Sequence, residues 1–135
     1  MTSVFVDANV FLRFFTADDS CQHESAEKLF REAAAGRVSL VTGPPVLFEI
    51  AWTLRSAYGL KADRILDVLS RIVSLSGLDL ADGPVVEEAI SIATKSGTEF
   101  ADSYILASSR RLGAGCVATF NKKDFRKMGA TLQHL

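Results

Sequence analysis

The chain has 135 residues, 48% of them hydrophobic and 23% charged, the size and apolar content of one globular domain with a sizeable core. Its formal net charge is −1, which excludes a globally basic nucleic-acid binder; any such binding is expected to be local. No apolar run approaches the roughly 18 residues of a membrane span, and neither a signal-peptide pattern nor a repeat or low-complexity stretch occurs, so one domain over residues 1–135 in the cytoplasm is expected.

Val4, Phe5 and Val6 are β-forming residues in a continuous apolar run, which predicts a strand covered on both faces and ended by Asp7. Val10, Phe11, Phe14 and Phe15 then recur at helical spacing as far as the polar cluster Thr16-Ala17-Asp18-Asp19-Ser20, which makes Asp7 an N-cap candidate. Ala26, Leu29, Phe30 and Ala33 mark an amphipathic helix from Ser20 to a stop at Gly36. Val38 to Thr42 reads as a second buried strand.

Gly43-Pro44-Pro45 breaks that strand and starts a helix from about Pro45 to Tyr58, ended by Gly59. Val46, Ile50, Leu54 and Ala57 form one stripe, while Phe48, Ala51 and Trp52 are apolar on the other side, so cover on two sides is expected. A second copy, a partner or the following helix would supply it. That following helix runs from Lys61 to Ser76 and is closed by Gly77.

Leu78-Asp79-Leu80 reads as a short strand, and Pro84 opens a helix to Gly97, with Glu87 and Glu88 complementing its dipole. Thr98 is the expected N-cap of a helix from Glu99 to Leu112. Cys116 to Phe120 reads as a further strand, and Ala130 to Gln133 as a short edge strand. Strands alternating with helices predict a three-layer α/β/α sandwich with a mainly parallel sheet of four to five strands, with sites beyond the carboxyl ends of the strands.

Cys21 and Cys116 are far apart and have no zinc-ligand spacing to a His or Cys, so buried thiols are expected rather than a disulfide or a metal site. His23 and His134 are single and lie in polar or terminal segments, which argues against a catalytic imidazole. No G-x-S-x-G or glycine-rich phosphate loop occurs, and Asn9 stands where an aspartyl phosphatase would want a second acid.

Asp7, Glu49, Asp102 and Asp124 stand apart from the other acids by their surroundings. A lone carboxylate within Val46-Leu47-Phe48-Glu49-Ile50-Ala51-Trp52 would need a partner from elsewhere if it were buried. Carboxylates gathered together repel one another unless a divalent cation neutralises them, and oxygen-only ligands favour Mg²⁺ or Mn²⁺. Such a site suits phosphodiester hydrolysis, since the cation activates a water and stabilises charge on the phosphate oxygens.

Val6-Asp7-Ala8-Asn9-Val10, Glu49 early in a helix, Phe100-Ala101-Asp102-Ser103, and Ala118-Thr119-Phe120-Asn121-Lys122-Lys123-Asp124-Phe125, in that order, resemble the PIN-domain nucleases. Length and the lack of extra domains look like the VapC-type toxins of bacterial and archaeal toxin–antitoxin pairs. The resemblance implies that Asp7 and Asp102 are the main ligands of Mg²⁺ or Mn²⁺, with Glu49 and Asp124 completing the acidic pocket or binding through water. Asn9 and Thr119 would hold neighbouring ligands by hydrogen bonds. It further implies a metal-dependent endoribonuclease of single-stranded or loop RNA, an antitoxin partner and a homodimer.

One departure concerns Asn121, where many members carry an acid, so that the fourth acidic role falls on Asp124 alone. Arg110, Arg111, Lys122, Lys123, Arg126 and Lys127 lie near Asp102 and Asp124 in sequence and are candidate phosphate contacts. The rival reading is a non-catalytic module that binds protein or RNA, its acids kept for fold or metal stability.

Overall fold

The first strand, β1 (Ser3–Phe5), is short because Asp7 ends it: Val6 still donates its N–H to the Val41 carbonyl at 2.9 Å, and the chain then turns into a helix. The structure, a computed structural model, describes residues 2–135. β1 pairs in parallel with β2 (Ser39–Thr42), and β2 pairs in parallel with β3 (Leu78–Leu80), giving the order β1-β2-β3. All three carboxyl ends therefore lie on one edge.

Helices make the crossovers. Between β1 and β2 come α1 (Ala8–Thr16) and α2 (Ser20–Ala34); between β2 and β3 come α3 (Pro44–Ser56) and α4 (Ala62–Val73). Beyond β3 the chain continues through α5 (Gly83–Ser96), α6 (Phe100–Arg111) and α7 (Lys122–Lys127). The result is an α/β fold in which helices flank a parallel sheet, as the alternation predicts.

The core holds fully buried Phe11, Leu40, Leu47, Ile50, Leu54, Leu69, Ile72 and Val86. Each such side chain contributes about 1.5–3 kcal/mol relative to exposure. Phe11 stacks on Phe30 with centroids 5.5 Å apart, which ties α1 to α2. Gly77 is required where it stands: its φ is +82°, and a Cβ there would lie 2.5 Å from the Ala33 carbonyl oxygen.

The structure departs from the sequence expectations in several places. The first strand is not covered on both faces, since Phe5 is 62% exposed. The sheet has three strands, not four or five. Cys116 to Phe120 pairs only at Val117, in an isolated parallel bridge with Leu132, so the expected edge strand over Ala130 to Gln133 is likewise one bridge. Val117 donates to the Thr131 carbonyl and accepts from the Gln133 amide, each at 2.8 Å, and the pairing goes no further; β-forming residues alone do not make a ladder.

Thr98 does not cap α6. Its buried hydroxyl bonds to Ser96 at 2.7 Å, and Glu99 takes the N-cap position without a capping hydrogen bond. Both cysteines are exposed, not buried, since α2 turns Ala26, Phe30 and Ala33 inward and leaves Cys21 outside, while Cys116 donates to Gln133 on the surface. On the second side of α3, Phe48 packs on Phe100 and Tyr104 of α6 with centroids 5.4 and 5.1 Å away, yet Trp52 stays 71% exposed. Residues of α6 and of α4, among them Ile65 and Leu66, line that side, and the cover stops short of Trp52.

Candidate active site

Asp7 stands where β1 becomes α1. Its Oδ1 accepts from the Ala8 amide at 2.8 Å, so it caps the helix, and its carboxylate remains exposed. The junction is pinned from beneath: the buried Thr42 hydroxyl donates to the Val6 carbonyl at 2.9 Å, and Val6 and Ala8 are both buried. Thr42 ends β2, so two neighbouring strand ends are tied at the residue before the acid.

Glu49 lies in the second turn of α3 and is exposed, so it needs no buried partner. It lines an apolar groove of about 730 Å³ together with Trp52 and with Glu99, Phe100 and Ala101 at the start of α6. The Phe48, Phe100 and Tyr104 rings lock that start against α3. Asp102, in the first turn of α6, is thereby held in a fixed position relative to α3.

Asp102 and Asp124 are brought together by Asn121. The Asn121 amide nitrogen donates to Asp102 Oδ2 at 3.3 Å and to Asp124 Oδ2 at 3.1 Å. Burial first, and the charge of Asp124 second, raise the Asp102 carboxyl above its ordinary pKa. Asn121 is itself fixed from behind, because its backbone N–H donates to Thr119 Oγ1 at 3.0 Å.

Asn121, the departure that leaves the fourth acidic role to Asp124 alone, joins the two acids in the fold through its side-chain amide. Thr119 acts on the Asn121 backbone rather than on an acid. Asn9 is exposed, lines the cleft between α1 and α2 with Arg13 and Gln22, and makes no side-chain hydrogen bond among the described residues. The polar contact that fixes the Asp7 junction comes instead from Thr42, whose signal in sequence is a lone hydroxyl ending an apolar strand.

Among the described residues, no three His, Cys, Asp or Glu side chains gather closely enough to hold a metal ion. The structure pairs Asp102 with Asp124 and places Asp7 and Glu49 on separate elements, Asp7 with one oxygen engaged by its own helix. The donor chemistry nevertheless fits a hard cation. Mg²⁺ is ordinarily held by one or two carboxylates and completed by water and substrate phosphates, and a partly buried acid beside a second carboxylate, as Asp102 is beside Asp124, carries the charge such an ion relieves.

Among the six candidate phosphate contacts, Arg111 is paired with Glu88 at 3.6 Å. Arg110, Lys122, Lys123, Arg126 and Lys127 make no ion pair among the described residues. Positive charge is thus available on α7 beside Asp124. No helix of the described structure is long and apolar enough to cross a membrane.

No curated protein of established function matches the chain. The family model described as PIN domain matches residues 4–130, and so takes in Asp7, Glu49, Asp102 and Asp124. With a parallel sheet flanked by helices and that match over nearly its whole length, the chain belongs to the PIN domain family, a family with a nuclease-like fold.

Proposed function

We propose that this protein is a metal-dependent endoribonuclease of the VapC toxin type, acting on single-stranded or loop RNA and leaving 5′-phosphate and 3′-hydroxyl ends. The observation that carries the reading is the pair Asp102 and Asp124, joined across Asn121 and carrying a raised Asp102 carboxyl. Two acids in that state attract a cation rather than an anion.

Mg²⁺ or Mn²⁺ would be held by Asp102 and Asp124, with Asp7 and Glu49 completing the acidic rim. When bound, the ion supplies a water of lowered pKa and neutralises charge on the phosphate. The chain's own residues do the rest: Asn121 sets the spacing of the two acids, Thr119 fixes Asn121, and Lys122 and Lys123 offer charge for the RNA backbone.

As a toxin in the cytoplasm, the protein would be held in check by a small antitoxin whose arginine pairs with the carboxylates in place of the ion. A short open reading frame beside this one would support that partner. The exposed Trp52 on α3 is the natural anchor for a homodimer contact, aromatic residues being enriched at interface centres. A monomer mass in light scattering at micromolar concentration would count against the dimer.

A second reading, a non-catalytic PIN module that binds RNA or protein, is favoured by one observation: no three acids gather among the described residues. One experiment separates the two. Purified protein is incubated with structured RNAs and Mg²⁺ or Mn²⁺, beside Asp102→Asn and a chelator control. Cleavage abolished by both is the expected result; cleavage that survives both defeats the nuclease assignment, and no cleavage despite measurable Mn²⁺ binding favours the module.

A further inference from the structure

Phe120 lies between Thr119 and Asn121, the two residues that build the Asp102–Asp124 pair, and it is 88% exposed. Its backbone turn is held by local hydrogen bonds. The Asn121 N–H to Thr119 hydroxyl bond spans it, and the Asn121 amide is anchored to both acids.

Burial was open to an aromatic ring in this part of the chain. Phe125, on the same short helix as Asp124, is buried with Leu106 and Met128, and Phe120 is outside that cluster. A ring held in water on a fixed turn forgoes about 1.5–3 kcal/mol of burial.

What surrounds it selects a ligand. Lys122 and Lys123 follow within three residues and make no ion pair among the described residues, while Asn121, one residue away, bonds both acids. An apolar segment of a protein partner has no use for unpaired lysines and carboxylates beside it. A nucleotide has use for all three: a face to stack, a phosphate for the lysines, and a phosphodiester at the acids.

The geometry points to Phe120 as the stacking platform for an unpaired RNA base next to the bond presented to Asp102 and Asp124. It takes its ligand from the nuclease reading and adds which side chain seats the base. Because every base has a π-face, the platform selects single-stranded over paired RNA rather than one base over another.

The test is binding in the presence of chelator, so that no cleavage occurs, measured by fluorescence anisotropy. The probes are a short single-stranded RNA oligomer and a ribose-phosphate oligomer of equal length without bases. Phe120→Ala is expected to weaken the RNA oligomer roughly tenfold, the size of one base–aromatic stack, and to leave the abasic oligomer unchanged. Phe120→Trp should keep wild-type affinity, and Phe120→Leu should behave as the alanine variant.

Equal binding by the alanine variant, equal loss on both oligomers, or wild-type affinity with leucine would overturn the inference; the last would mean that RNA binding needs no aromatic face at this position. Wild-type cleavage with Mg²⁺, run alongside, separates the two claims. Cleavage without dependence on Phe120 keeps the nuclease and removes the platform, whereas base-dependent binding without cleavage does the reverse.

Discussion

The two acid-bearing ends of the chain are supported very differently. Asp7 follows Val6 and precedes Ala8, both inside the main core, and a buried Thr42 hydroxyl locks the junction. Asp124 sits on a six-residue helix whose anchor is a satellite of three buried residues, Leu106, Phe125 and Met128, joined to the chain end by one β-bridge. The lesson is that the site proposed above, which draws on both ends, would have one rigid half and one half that opens at lower cost.

The largest effect belongs to the main core. Leu47→Ala removes a fully buried side chain and should cost roughly 2–5 kcal/mol, seen as a lower global midpoint in urea. A midpoint within error of wild type would mean that the core is not shared as described.

Next comes Phe125→Ala. Its loss, about 3 kcal/mol, should appear as reduced hydrogen-exchange protection confined to residues 106–132, with the amides of β1 and β2 little changed. Protection lost evenly across the chain would erase the distinction between the halves.

Thr42→Val is smaller. It keeps the shape but leaves the buried Val6 carbonyl without that donor, for about 1–2 kcal/mol. Cleavage should fall with it, since Asp7 is the next residue; unchanged activity would show that the Asp7 junction does not depend on the Thr42 hydroxyl.

Much of the rigid half is legible in the sequence. The apolar run before Asp7 and the helical spacing after it give β1 and α1, and Gly36, Gly59 and Gly97 end helices within a few residues of where they stop. The loose half is not, because its facts are pairings across distance. Whether Cys116 to Phe120 forms a ladder depends on a partner backbone, and the role of Asn121 depends on Asp102 nineteen residues earlier.

Exposure was equally hidden. Trp52 and Phe120 read as apolar in sequence, yet both face solvent beside the acids, while Cys21 faces water where burial was expected. Local pattern tells which residues prefer the interior; it does not tell which of them the fold has room to cover.

The smallest expected effect has the opposite sign. Asp102 carries a carboxyl whose pKa folding raises, so the folded chain holds that proton more tightly than the unfolded one. Stability therefore falls as pH rises from the ordinary carboxylate value through the raised one, and Asp102→Asn should melt roughly 1–3 °C higher than wild type at pH 7 in chelator. The gap should close as pH is lowered toward 4; a variant that melts lower at pH 7 would show that the ionised acid is not penalised.

The most direct measurement of the site is a Mn²⁺ titration of the wild type and of Asp102→Asn, followed by loss of backbone amide signals in NMR. The first losses in the wild type should fall at Asp7, Asp102, Asn121 and Asp124, and the variant should lose that selectivity. First losses elsewhere, or the same selective losses in the variant, would contradict a metal site built on the Asp102–Asn121–Asp124 group.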